Sequence, residues 1–183
     1  MRSWARFAGR KPASSLRPAS RQTDGARRPE SNFSPGEEIV KQPKTVAFVC
    51  LHGSAKSLIA AEHLNGLARA RGAALAATTS GPEPDTEVPP HVIEGLREHA
   101  VDASHRVPEK VNAKALAQAS HIVSFGCDLK TLGLVDERRV VERWDDCPAV
   151  IDGFEIAYAF ITRRVEQLFD RLTAGQEANI RAG

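Results

Sequence analysis

Between Thr45 and Leu172, short unbroken apolar runs alternate with segments whose apolar residues recur every three or four positions. The first kind predicts strands and the second helices. "TVAFVC" (45–50) reads as a strand. "KSLIAAEHLNGLARARG" (56–72) follows as a helix, beginning near Lys56 or Ser57. Leu58, Ala61, His63, Leu64 and Leu67–Ala68 form its apolar stripe, Arg69 and Arg71 suit its C-terminal end, and Gly72 stops it. "AALAATTSG" (73–81) is a second strand, "EPDTEVPP" (83–90) a loop, and "HVIEGLREH" (91–99) a short helix with Val92, Ile93 and Leu96 inward. "NAKALAQAS" (112–120) fits another short helix, "HIVSFGC" (121–127) a third strand and "RVVERW" (139–144) a fourth. "FEIAYAFITRRVEQLFDRL" (154–172) is the strongest amphipathic helix, with Phe154, Ala157, Ile161, Val165, Leu168 and Leu172 on one face.

Strands alternating with helices predict an α/β domain whose parallel sheet is covered by helices on both faces. Right-handed crossovers then bring the C-terminal ends of the strands, and the loops that follow them, to one edge. Ligands of such sheets bind at that edge. Residues 1–42 show neither period and are rich in Arg, Ser, Pro and Gly, so a disordered basic tail is expected there. The folded domain is expected over residues 43–175, with a flexible C-terminus over 176–183.

Composition changes this picture little. The chain has 183 residues, 42% of them hydrophobic, which suits one globular domain. Its formal charge of +2 is an effect of the tail, since residues 1–40 hold eight basic residues against four acidic ones. A nucleic-acid partner is therefore not expected for the folded part. No apolar run is long enough to span a bilayer, and the tail lacks the apolar core of a secretory signal. Three cysteines do not make a disulfide framework, and a cytoplasmic, reducing compartment is the simpler setting. His63, His91, His99, His105 and His121 lack ligand spacing, so no metal is expected.

The chemistry concentrates in "AFVCLHGSAKS" (47–57), where the first strand passes into the first helix. A loop of Leu51, His52, Gly53, Ser54, Ala55 and Lys56, curled so that its amides point inward, would join the positive end of the helix in holding a tetrahedral oxyanion. Gly53 permits the curl, and Lys56 adds a cation. The same donors would stabilise a thiolate on Cys50. The spacing is not that of a nucleotide phosphate loop. By these residues alone, Cys50 reads either as a nucleophile above an anion cradle or as a buried thiol at the end of a strand.

The stretch from Thr45 to about Leu172 resembles the low-molecular-weight protein tyrosine phosphatase superfamily, which includes thioredoxin-coupled arsenate reductases. The likeness lies in Cys50, five residues, then Lys56 and Ser57, in "TTSG" followed by Val88–Pro90, in "HIVSFGC", and in the region from Trp144 to Pro148. It implies a three-layer α/β/α domain with a four-stranded parallel sheet. It also implies a cysteine-dependent phosphatase acting on a phosphomonoester, such as a phosphotyrosine protein, with no cofactor. Cys50 would attack phosphorus, Ser57 would hydrogen-bond the thiolate, and the loop amides would hold the oxyanion. Asp146, or its neighbour Asp145 in "ERWDDCPAV", would protonate the leaving oxygen. Lys56 stands where the family has arginine, which keeps the charge and loses the planar two-pronged grip on oxyanions. His52 and Gly53 replace a glycine–asparagine pair. Under the reductase alternative, Cys127 and Cys147 would serve as further redox cysteines, with thioredoxin or another thiol as reductant. A third alternative keeps the phosphate site without turnover.

Overall fold

The computed structural model describes residues 42–181, with side chains described to residue 174. All but the last residue of the tail expected over 1–42 lies outside the described residues, as do the last two of the segment expected over 176–183. Four strands, β1 (Lys44–Cys50), β2 (Leu75–Ser80), β3 (His121–Phe125) and β4 (Glu142–Arg143), form one parallel sheet in the order β2-β1-β3-β4. The helices are α1 (Lys56–Arg71), α2 (Pro90–Glu98), α3 (Ala113–Gln118) and α4 (Phe154–Arg181). No described helix is long and apolar enough to cross a membrane.

The two faces of β1 show why the domain has three layers. Successive side chains of a strand point to opposite faces. Val46, Phe48 and Cys50 enter one apolar cluster with residues of α1, α2 and α4. Ala47 and Val49 enter a second, with Leu116 of α3 and with Val111, Ile122 and Leu129. The α4 face expected to be buried is so at Ala157, Ile161, Val165 and Leu168, with Phe154 and Leu172 partly covered.

Two elements depart from expectation. The first two turns of α1 are buried almost all round, Ser57 to Glu62 included, rather than along one stripe. Helix α1 packs against both the sheet and α4, so it has little solvent side there. The fourth strand shrinks from the expected 139–144 to Glu142–Arg143, paired with Val123 and Ser124. It is an edge strand with one partner, and Val140 is left exposed in the loop before it.

Candidate active site

Cys50 ends β1 opposite Phe125 of β3 and is nearly buried. The chain then turns through residues 51–55 into α1, whose N-cap, Ala55, offers no side-chain cap, and whose first turn carries no acidic residue. Its first-turn amides therefore lack intrahelical partners and present positive charge beside Cys50. The turn depends on two glycines. Gly53 adopts φ +65° and packs so tightly on Gly81 that a Cβ on either would stand within 3 Å of the other's backbone.

A chain of hydroxyls leads to the sulfur. Ser57 Oγ lies 3.0 Å from Cys50 Sγ, and Thr79 Oγ1 donates to Ser57 Oγ at 2.7 Å, also lying 3.2 Å from the Gly53 carbonyl. With Thr79 donating to Ser57, the Ser57 proton is free to point at the Cys50 sulfur. No local pattern in the sequence marks Thr79 for the site. The parallel register, Phe48 opposite Thr79, is what carries it to the end of β1.

A cavity of about 290 Å³ opens over Cys50. Its polar lining includes His52, Ser54, Lys56, Asp85 and His91, and its apolar lining Leu51, Pro89, Phe125, Val150 and Ile151. Lys56 reaches it from the start of α1, with one donor of its ammonium committed to the Cys147 carbonyl at 2.7 Å. His52 Nδ1 lies 2.9 Å from the Glu83 carbonyl, which fixes the ring over the loop.

The structure thus brings Cys50, the whole 51–56 loop and Ser57 together. The two aspartates expected to serve the leaving group are bonded to other groups. Asp145 accepts from the Gly126 amide at 2.9 Å and from Arg143 at 2.7 Å. Asp146 is gripped by both terminal nitrogens of Arg164, at 2.9 and 2.6 Å. Neither lines the cavity. Asp85, read as part of a plain loop, does. Its partner Ser54 is 31 residues away in the chain, so no local pattern marked it.

Cys127 and Cys147 are free thiols that follow β3 and β4, on the same edge of the sheet as Cys50. Burial raises the Cys127 thiol above its ordinary range, and the nearness of Cys50 raises it further. Burial pushes Cys147 up to about 11, against the opposing pull of Lys56 and Arg164. Among the described residues no group of three His, Cys, Asp or Glu side chains is placed to hold a metal.

The family model described as low molecular weight phosphotyrosine protein phosphatase matches residues 45–132. The solved structures similar to this one carry the same fold. Residues 45–132 thus match the low-molecular-weight phosphatase family, and the domain carries that family's fold. YfkJ from Bacillus subtilis is 19% identical, with 73% of this chain and 96% of that one covered and a TM-score of 0.62. A thioredoxin-dependent arsenate reductase from Corynebacterium glutamicum is 20% identical over 74% of this chain and 65% of that one, with a TM-score of 0.63. A low molecular weight protein tyrosine phosphatase from T. tengcongensis is 16% identical over 72% and 99%, at a TM-score of 0.59. No curated protein matches the chain in sequence. The superfamily match takes in Cys50 to Ser57, Asp85 and Cys127, and stops short of Asp145, Asp146 and Cys147.

Proposed function

We propose that the chain is a cysteine-dependent phosphatase that hydrolyses a phosphomonoester through a phosphocysteine on Cys50. The observation that carries this reading is the 3.0 Å contact between Cys50 Sγ and Ser57 Oγ, set at an uncapped helix N-terminus and open to a cavity. The loop and first-turn amides hold the three non-bridging oxygens, over which the charge of the transferring phosphoryl group is spread in the transition state. Lys56 adds a point charge through the ammonium donors left after its bond to Cys147. Sulfur displaces the leaving oxygen, and water then cleaves the S–P bond, releasing phosphate and restoring the thiolate. The apolar lining from Leu51, Phe125 and Ile151 suits an aryl leaving group, phosphotyrosine among them.

Turnover of phosphotyrosine and para-nitrophenyl phosphate tests the reading, with C50S as control. The variant is expected to lose roughly three orders of magnitude or more of kcat, since it lacks the nucleophile. Wild-type rates in C50S would remove the mechanism.

Thiol-dependent arsenate reduction is the second reading, favoured by three free thiols at one edge of the sheet. There Cys50 would form an S–As bond to arsenate with loss of water. The Cys127 or Cys147 thiol would then attack the Cys50 sulfur and break that bond, releasing arsenite with the electron pair and leaving a disulfide for thioredoxin or another thiol to reduce. The raised Cys127 and Cys147 thiols weigh against it, because a protonated thiol is a poor nucleophile. Turnover of arsenate with a Cys50-linked disulfide, seen by peptide mass spectrometry, would reverse that order.

A further inference from the structure

We propose that Asp85 is the carboxyl that handles the proton in the reaction at Cys50; the assignment rests on the phosphatase reading above. Asp85 is the one carboxylate among the described residues lining the Cys50 cavity. Three bonds hang its segment on the anion loop. The Glu83 amide donates to the Leu51 carbonyl at 3.0 Å, the Asp85 amide donates to the His52 carbonyl at 3.2 Å, and Ser54 Oγ donates to Asp85 Oδ2 at 2.5 Å. Ser54 is itself 2% exposed, so the anchoring hydroxyl is fixed. The other oxygen, Oδ1, has His52 Nδ1 at 3.6 Å, beyond hydrogen-bonding distance, and the Asp85 side chain is 37% exposed. One oxygen is therefore held; the other accepts no hydrogen bond among the described residues, and the side chain lines the cavity.

That arrangement suits a group that must give and take a proton beside a bound phosphoryl group. In the first step the Cys50 thiolate forms an S–P bond while the P–O bond to the leaving group breaks. The leaving oxygen takes its electron pair and the proton of the Asp85 carboxyl. In the second step a water attacks phosphorus and yields a proton to the Asp85 carboxylate as the S–P bond breaks. Cys50 is again a thiolate, Asp85 again an acid, and inorganic phosphate departs. By contrast, Asp146 has both oxygens in a two-pronged pair with Arg164 and a side chain 61% exposed, while Asp145 is shared between Gly126 and Arg143.

The test measures kcat for full-length wild type, C50S, D85N, D85E, D145N and D146N on a series of aryl phosphates of rising leaving-group basicity. A proton donor masks the basicity of the leaving group, so its loss steepens the dependence of rate on that basicity. D85N is expected to fall by about 100-fold on phenyl phosphate and by much less on para-nitrophenyl phosphate. D85E, which keeps a carboxyl, should restore the shallow dependence. Protection of Cys50 from iodoacetamide by inorganic phosphate, retained in D85N, would separate lost proton transfer from a collapsed loop. A dependence in D85N as shallow as wild type would overturn the assignment, as would an equal loss across the whole series or a steep dependence in D145N or D146N instead. If the wild type turns over none of the esters, or C50S is as active as wild type, the phosphatase reading falls and this assignment with it.

Discussion

The loop after β1 and the segment after β4 reach the same edge of the sheet and use their polar groups in opposite ways. After β1, the side chains of Ser57, Thr79, Ser54 and His52 bond to one another, to Asp85 and to backbone, and Cys50 and Asp85 line a cavity. After β4, the carboxylates of Asp145 and Asp146 are taken up by Arg143 and Arg164, and Trp144 is buried against Phe48 and Phe125. One region orders its polar groups around a cavity; the other neutralises the charges it has. The family resemblance points to the aspartates after β4, whereas reactivity depends on what each carboxylate is already bound to.

The thiols give the largest test of that contrast. Cys147, pushed up to about 11 by burial, is a thiol at neutral pH. Its alkylation by iodoacetamide should quicken about tenfold per pH unit, roughly 1000-fold between pH 7 and pH 10. Peptide-resolved mass spectrometry would follow it alongside Cys50. A Cys147 rate already level by pH 8 would break the contrast between the two sites.

Next in size is the effect of crowding the β1 loop. A Cβ on Gly81 would stand 2.5 Å from the Gly53 nitrogen and the Leu51 carbonyl oxygen, both backbone atoms that cannot swing aside. G81A is expected to cost about 2–3 kcal/mol of unfolding free energy. Phosphate should also no longer protect its Cys50 from alkylation. Wild-type stability and protection in G81A would mean that the cradle does not depend on this close approach.

The parts legible in sequence were those governed by local period. The buried face of α4 and the N-terminal strand were readable because Ala157, Ile161, Val165 and Leu168 recur at helical spacing and 45–50 is an unbroken apolar run. The Cys50-to-Ser57 loop was readable as well, because a strand, a glycine-bearing turn and a helix start are contiguous in the chain. Thr79 and Asp85 were not. Each joins the site through partners 22 to 31 residues away, by strand register and by loop-to-loop bonds that leave no periodic trace. The extent of β4 was overread for a related reason. Val140 and Val141 look like strand in isolation, but pairing with β3 at Val123 and Ser124 limits the ladder to two residues.

What fixes so short an edge strand is charge, and this supplies the smallest effect. Glu142 is bonded to His121 at 2.9 Å, to the Trp144 indole at 2.9 Å and to Arg171. The His121 bond, followed by those from Trp144 and Arg171, holds its carboxyl down at about 2, against 4.5 for a free side chain. A carboxyl with a folded value below its unfolded one adds stability above pH 4.5. That contribution fades as pH falls from 4.5 through about 2, and is lost below that, where both states are protonated. The difference between the two values sets a ceiling of about 3 kcal/mol; with the Glu142 side chain 29% exposed to solvent, about 1 kcal/mol is the better expectation. E142Q should therefore unfold more easily than wild type at pH 7, and the two denaturant curves should converge as pH falls through about 2. Curves that stay equally far apart at every pH would mean that Glu142 holds β4 by shape rather than by charge, and the contrast between the two strand ends would lose its electrostatic half.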